Sequence, residues 1–288
     1  VRKRGLGGQA RIAAGLAVAT AALAGAAEAQ TRPCRPAVTS VPTTISTSGV
    51  YCLTRNLVTS ATTGTAITIA ADHVVLDMRG YTLDGSGAGA GTQAIGIGAS
   101  GRSNVTVTNG TVRGFNTGIQ LASAPGARGN VVEGIRAEGN TVVGISVGGI
   151  GAVVRGNLVV DTGGSTLLPD PRAYGISAFV APGAVIEDND VVDTATTDAA
   201  SFDYGIWVAN SSDVLIEGNR VRNPNPTPAY TFGILVTFGP NTQVVDNRIS
   251  SAATGITYVS GSTGKYRDNL TDNCATPFSG GTDAGGNN

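Results

Sequence analysis

Two phrases repeat along this chain at a spacing that leaves few folds open. The first is Gly-Ile-x-apolar, seen as GIQL, GISV, GISA, GIWV, GILV and GITY. Its isoleucines form a column: Ile67, Ile97, Ile119, Ile145, Ile176, Ile206, Ile234 and Ile256. The second phrase is clearest in AVVRGNLVVDT from Ala152 and AVIEDNDVVDT from Ala184. Its turn position gives the column Gly80, Gly110, Ile135, Asn157, Asn189, Asn219, Asn247 and Asn269. The offset between columns is 13 residues in six of the eight copies, 16 in the third and 12 in the fourth. The shortest full repeat is 22 residues, with apolar residues alternating inside each phrase, which is the period of a strand.

A 22-residue unit of three short strands cannot bury its own apolar edge. Stacked on copies of itself it can, with successive coils about 4.8 Å apart. The expected fold is therefore all-β: a single-stranded parallel β-helix of about eight coils, each of three short strands. The handedness of parallel crossovers makes it right-handed. In this reading the Ile column points inward. The Asn column occupies a tight turn, where Asn tolerates the left-handed conformation, and its amides form a ladder of hydrogen bonds along the stack. Composition agrees: 42 Gly, few aromatic residues and only one Met suit strands and turns better than helices.

Here the sequence resembles the right-handed β-helix repeat proteins of the pectin-lyase-like superfamily, secreted bacterial type. The opening segment GVYCLTRNLVTS…AITIAADHVVLDMRGYTLDG is similar to their entry coils. The resemblance covers about residues 49–288. It implies saccharide-related roles: lyase, hydrolase, epimerase or polysaccharide binder.

The ends read differently. Residues 1–29 carry a basic start, an apolar run from Ile12 to Ala27 and an Ala27-Glu28-Ala29 cleavage pattern. These are the marks of a secretory signal peptide rather than a membrane-spanning anchor. Export to the periplasm or medium is expected, with no membrane insertion. Loss of Arg2, Lys3, Arg4, Arg11 and Glu28 would move the net charge from −1 to about −4, which argues against a nucleic-acid partner. Residues 30–64 are expected to form an N-terminal cap, 65–274 the helix and 275–288 a flexible tail. A monomer is expected. Of three cysteines, Cys34 and Cys52 are expected to pair across the cap, and Cys274 to stay unpaired.

Candidate functional residues cluster beside the Gly-Ile strands. Three consecutive insertions, Val160 to Ala173, Val192 to Asp203 and Arg222 to Thr231, should pile into a wall on one side. In the resembling polysaccharide lyases that face carries the substrate groove. The outward positions of the Gly-Ile strands include Ser177 and Trp207, the only Trp of the chain. Trp207 serves either as a platform for a sugar ring or as packing under the loops. Tyr174 and Tyr204, with Phe232, precede adjacent strands; they are substrate contacts or a structural stack. Arg172 and Arg222 are candidates for anionic groups on a substrate.

The repeated VVDT sets Asp161 and Asp193 one coil apart. Two neighbouring carboxylates could share a proton as a catalytic pair; equally, both could be turn-forming residues. Asp170, Asp198 and Asp203 are candidate Ca²⁺ ligands, and calcium is the one cofactor considered. His73 is the only histidine and sits in a turn slot, which excludes a Ser-His-Asp triad or a multi-His zinc site. The Gly-His-Gly and Arg-Ile-Lys pattern of polygalacturonases is missing. Asp170-Pro171-Arg172 has Arg where the alginate epimerases' Asp-Pro-His motif has His. The functional expectation is thus a protein that acts on or binds polysaccharide, as a lyase or hydrolase of acidic glycans. The alternative is a non-catalytic glycan-binding or structural surface module. The residues do not decide whether it is an enzyme.

Overall fold

The computed structural model describes residues 36–288, apart from 125, 168–171, 198–200 and 224–230. The described chain is a parallel β-helix. A ten-stranded sheet, the front, is built from one strand of each coil, and an 18-stranded sheet, the back, from the other two. The front strands pair in parallel, each with its counterpart on the adjacent coil.

The front sheet runs from Thr43–Ile45 to Thr276–Ser279. Its register places Ile97 beside Ile67 and Ile119, then Ile145, Ile176, Ile206, Ile234 and Ile256 in one row. All eight are fully buried. Each such side chain contributes roughly 1.5–3 kcal/mol by leaving water. The row continues into Phe278 on the last front strand.

The Gly of each Gly-Ile phrase has a packing reason. A Cβ on Gly205 would lie 2.3 Å from Val221 Cγ1 and 2.7 Å from Gly233 O. Gly175 and Gly233 face the same crowding from Val191 and Ile249. The front strands thus lie against the opposite wall with no room for a methyl group.

The Asn column forms the expected ladder. Asn157 Nδ2 donates to Asn189 Oδ1, Asn189 to Asn219, Asn219 to Asn247 and Asn247 to Asn269, each at 2.9–3.0 Å. Each Oδ1 also accepts the backbone N–H of the previous rung. Ile135 ends the ladder, its N–H donating to Asn157 Oδ1. One detail differs from expectation. The left-handed residue is not the Asn but the one before it: Gly156, Asp188, Gly218, Asp246 and Asp268 all have φ of 50–65°. The Asn is therefore free to point inward, and its small or acidic predecessor takes the strained turn.

The fold has about nine coils rather than eight. The extra coil comes from the segment read as a cap: Thr43–Ile45, Gly49–Leu53 and Leu57–Val58 pair with Thr65–Ile69, Val74–Asp77 and Thr82–Asp84. It is absent from the Ile column because Thr43 stands in register with Ile67, where the later coils carry Ile. The segment read as a flexible tail is also part of the stack. Thr276–Ser279 and Thr282–Asp283 are strands, and Asn287 Oδ1 accepts from Asn269 Nδ2 at 3.1 Å as a final rung. Its Gly-rich sequence supplies tight turns there, not slack.

His73 stands in a turn slot as read, at φ 55°, and Asn104 and Asp213 share that conformation in the same slot of their coils. Cys274 is the free cysteine among the described residues. Cys52 is buried, and Cys34 lies outside the described residues. No described helix is long and apolar enough to cross a membrane.

Candidate functional site

The front sheet positions an aromatic cluster across three consecutive coils. Strands Ala173–Phe179, Asp203–Ala209 and Thr231–Thr237 pair in register, so that Tyr174, Tyr204 and Phe232 form one row and Ser177, Trp207 and Leu235 another. The Trp207 row points away from the core because it alternates with the inward Ile column. The Tyr row lies two residues before the Ile and is placed beside Trp207 by ring contact, not by alternation. The Tyr174 and Tyr204 rings stack with centroids 4.9 Å apart, and Tyr204 and Phe232 stack at 5.6 Å. Trp207 leans on Tyr174 at 5.1 Å, tilted by 45°, and stacks on Phe179 at 6.0 Å. Phe202 completes the group against Tyr204 and Phe232.

Trp207 is half-buried: it packs among its neighbours and keeps an exposed side. Tyr204 is buried, and Phe179 is exposed at 45%. Ser177 is buried despite its outward register. Gln120 and Ser146, on the two coils before, are half-buried and extend the row with neutral polar groups. Phe202 and Phe179 escaped the sequence reading. Phe202 lies two residues before Tyr204, and that period-2 spacing was the available signal. Phe179 is separated from its neighbours in sequence and is brought to Trp207 only by the stacking of coils.

The arginines lie at the edge of this cluster. The Arg172 guanidinium sits 5.6 Å over the Phe202 ring, a cation–π geometry. Arg222 is exposed and, with Thr194, Asn223 and Phe232, lines a small cavity at that edge.

Asp161 and Asp193 occupy equivalent positions on adjacent coils, between the paired residues Val160–Val192 and Thr162–Thr194. Both adopt the left-handed conformation, at φ 55° and 57°, so each serves its turn. Partial burial raises the Asp161 carboxyl above its usual range, and the charges of Asp193 and Glu138 push it further, against Arg136.

Asp203 is fully buried at the start of its front strand. Its Oδ1 accepts the Thr196 N–H at 2.8 Å, while its Oδ2 has no hydrogen-bond partner among the described residues. Burial pushes its pKa up to about 6, opposed by the hydrogen bonds from Thr196. The other two calcium candidates, Asp170 and Asp198, lie outside the described residues. Among the described residues, no three His, Cys, Asp or Glu side chains gather as a metal site.

A family model described as the right-handed β-helix region matches residues 96–275. The chain belongs to the right-handed β-helix family. Solved structures of similar fold include the enzymatically active domain of tailspike protein 2 of bacteriophage CBA120. It is 13% identical with a TM-score of 0.58, over 78% of this chain and 38% of that one. The Dettilon tailspike protein is 14% identical with a TM-score of 0.55, over 82% of this chain and 54% of that one. The chain thus spans about four-tenths to half the length of these tailspikes, and at such identities the likeness is one of fold. No curated protein matches the chain.

Proposed function

We propose that the β-helix is a glycan-binding protein whose front sheet, around Trp207, is the binding face. The observation that carries this reading is the aromatic cluster itself: six rings from three coils, with Trp207 half-buried at its centre and Phe179 exposed at its edge. Aromatic faces offer large apolar area at low entropic cost and suit the C–H faces of sugar rings. The parallel stack repeats its surface about every 4.8 Å, which suits an extended polymer of repeating units. A fold of this kind forms an enzymatically active domain in a phage tailspike, and this supports a functional rather than a purely architectural role.

Catalysis is a second reading, favoured by one observation: the raised Asp161 carboxyl beside Asp193. In that reading Asp161, whose carboxyl holds its proton more tightly than an ordinary aspartate, acts as acid, with Asp193 as base or nucleophile. Calcium bound through the acidic loop residues is part of the same reading. The protein works outside the cytoplasm after removal of residues 1–29, as a monomer, with Cys34 and Cys52 joined.

The experiment is to incubate purified protein with a panel of polysaccharides, with and without Ca²⁺. Retention on immobilised glycan, unsaturated products and new reducing ends are followed together. Retention without products supports binding alone. Products that vanish in Asp193→Asn, with retention kept, support the enzyme. The absence of both retention and products contradicts the glycan reading.

A further inference from the structure

Charge is divided between the two sheets. The ten front strands contain no Lys, Arg or Glu, and their only Asp is the buried Asp203. Their outward row is Thr68, Gly98, Gln120, Ser146, Ser177, Trp207, Leu235 and Thr257. The back sheet carries the charge instead, in cross-coil pairs such as Arg155 with Glu133, Arg220 with Asp190 and Arg113 with Asp84. A solenoid whose strands repeat one pattern would place charges on both outer faces unless something kept one of them clear.

We infer that the front face takes a neutral glycan rather than a uronate polymer; this rests on the glycan reading of the same face. Each uronate unit carries a carboxylate, and holding it requires a cation on the surface it crosses, best an Arg fork. The front row provides none. The edge of the aromatic cluster mixes both signs: Arg222 pairs in register with Val192, the residue before Asp193, so that edge offers no uniformly positive field. What the face does offer is an amide and hydroxyls at Gln120, Ser146 and Thr68, and rings at Trp207, Tyr174 and Phe179. Those are partners for sugar hydroxyls and for the apolar faces of uncharged rings. The sequence expectation of an acidic glycan rested on Arg172, Arg222 and calcium, and neither arginine belongs to the front row.

The test is a set of binding titrations. Neutral oligosaccharides (glucan, mannan and galactan series) are compared with oligogalacturonate and oligoalginate, at low and high salt, with Ca²⁺ and with chelator. The expected result is binding of a neutral series with an affinity unchanged by salt or chelator, because no counterion is displaced and no charge is screened. Gln120→Lys, a change on a half-buried surface position, is expected to leave folding intact and to improve uronate binding. Preference for a uronate series, weakened by salt or by removal of Ca²⁺, overturns the neutral class while leaving the glycan reading standing. Binding of no series overturns the glycan reading and this inference with it.

Discussion

Asn189 Nδ2 donates to Asn219 Oδ1 at 2.9 Å across one coil, and Asn219 passes the same bond on to Asn247. Asn219 also accepts the Asn189 N–H at 3.0 Å and donates to Ile186 O at 2.8 Å. One side chain thus satisfies buried donors and acceptors on both neighbouring coils.

Removing that side chain leaves several of those groups without partners. Each unsatisfied buried group costs about 1–3 kcal/mol, so Asn219→Ala is expected to lose roughly 3 kcal/mol or more. Asn287→Ala removes the end rung, which is only partly buried, and is expected to lose less than half as much. Urea unfolding of the two variants beside the parent checks the ranking. Equal costs would contradict the ladder as a main source of stability.

The front glycines predict a steric effect. Gly205→Ala drives a methyl into Val221 and the Gly233 carbonyl, an overpacking expected to cost about 1–3 kcal/mol or more. Gly205→Ala with Val221→Ala should recover part of the loss, because the nearest obstructing atom is Val221 Cγ1. Thermal denaturation of the single and double variants measures the coupling; full additivity would rule out the contact.

Asp203 predicts a dependence on pH. Its pKa is pushed up to about 6 by burial, above that of an unfolded aspartate near about 3.9. The folded state therefore binds the proton more tightly. The stability this contributes is complete below about pH 4 and is lost as pH rises through about 6. Asp203→Asn keeps an acceptor for the Thr196 N–H and cannot ionise. At about pH 8 it is expected to be more stable than the parent by on the order of 2 kcal/mol. Unfolding midpoints measured from about pH 4 to 8 decide it: an Asp203→Asn variant that tracks the parent across the range contradicts the assignment.

The cysteines predict a pattern of labelling. Cys274 alone is expected to react with an alkylating agent under native, non-reducing conditions, slowly, because burial raises its thiol pKa. A non-reducing digest should yield a Cys34–Cys52 peptide, and reduction should lower stability by roughly 3 kcal/mol. Alkylation of all three without reduction would exclude the pairing.

Much of the fold was legible because it repeats. The Ile column and the Asn ladder were readable since each residue recurs at the same offset, and both fall where expected in the structure. The first coil was not legible: Thr43–Ile45 and its partners pair through backbone register without repeating either phrase. The left-handed residue was misplaced by one position, because Asn is the residue that recurs, while Asp188 and Gly218 carry the positive φ. At the site, Tyr174, Tyr204 and Phe232 were legible as a row from their equivalent places in successive repeats. Phe179 was not, since its contact with Trp207 joins different positions of neighbouring coils. The front strands lack charge in the sequence as plainly as in the structure. That lack became meaningful only once the ten strands were seen as one face.

Trp207 is the only tryptophan in the chain, so its emission, excited at the red edge where tyrosine does not absorb, reports on the proposed binding face with no second tryptophan to compete. The most direct measurement is a fluorescence titration with the oligosaccharides that an immobilised-glycan screen retains. The account predicts a saturable change in the intensity or wavelength of Trp207 emission, with the midpoint matching the affinity measured by retention. A glycan that binds fully while the emission stays unchanged would place the binding surface elsewhere on the β-helix and contradict the central claim.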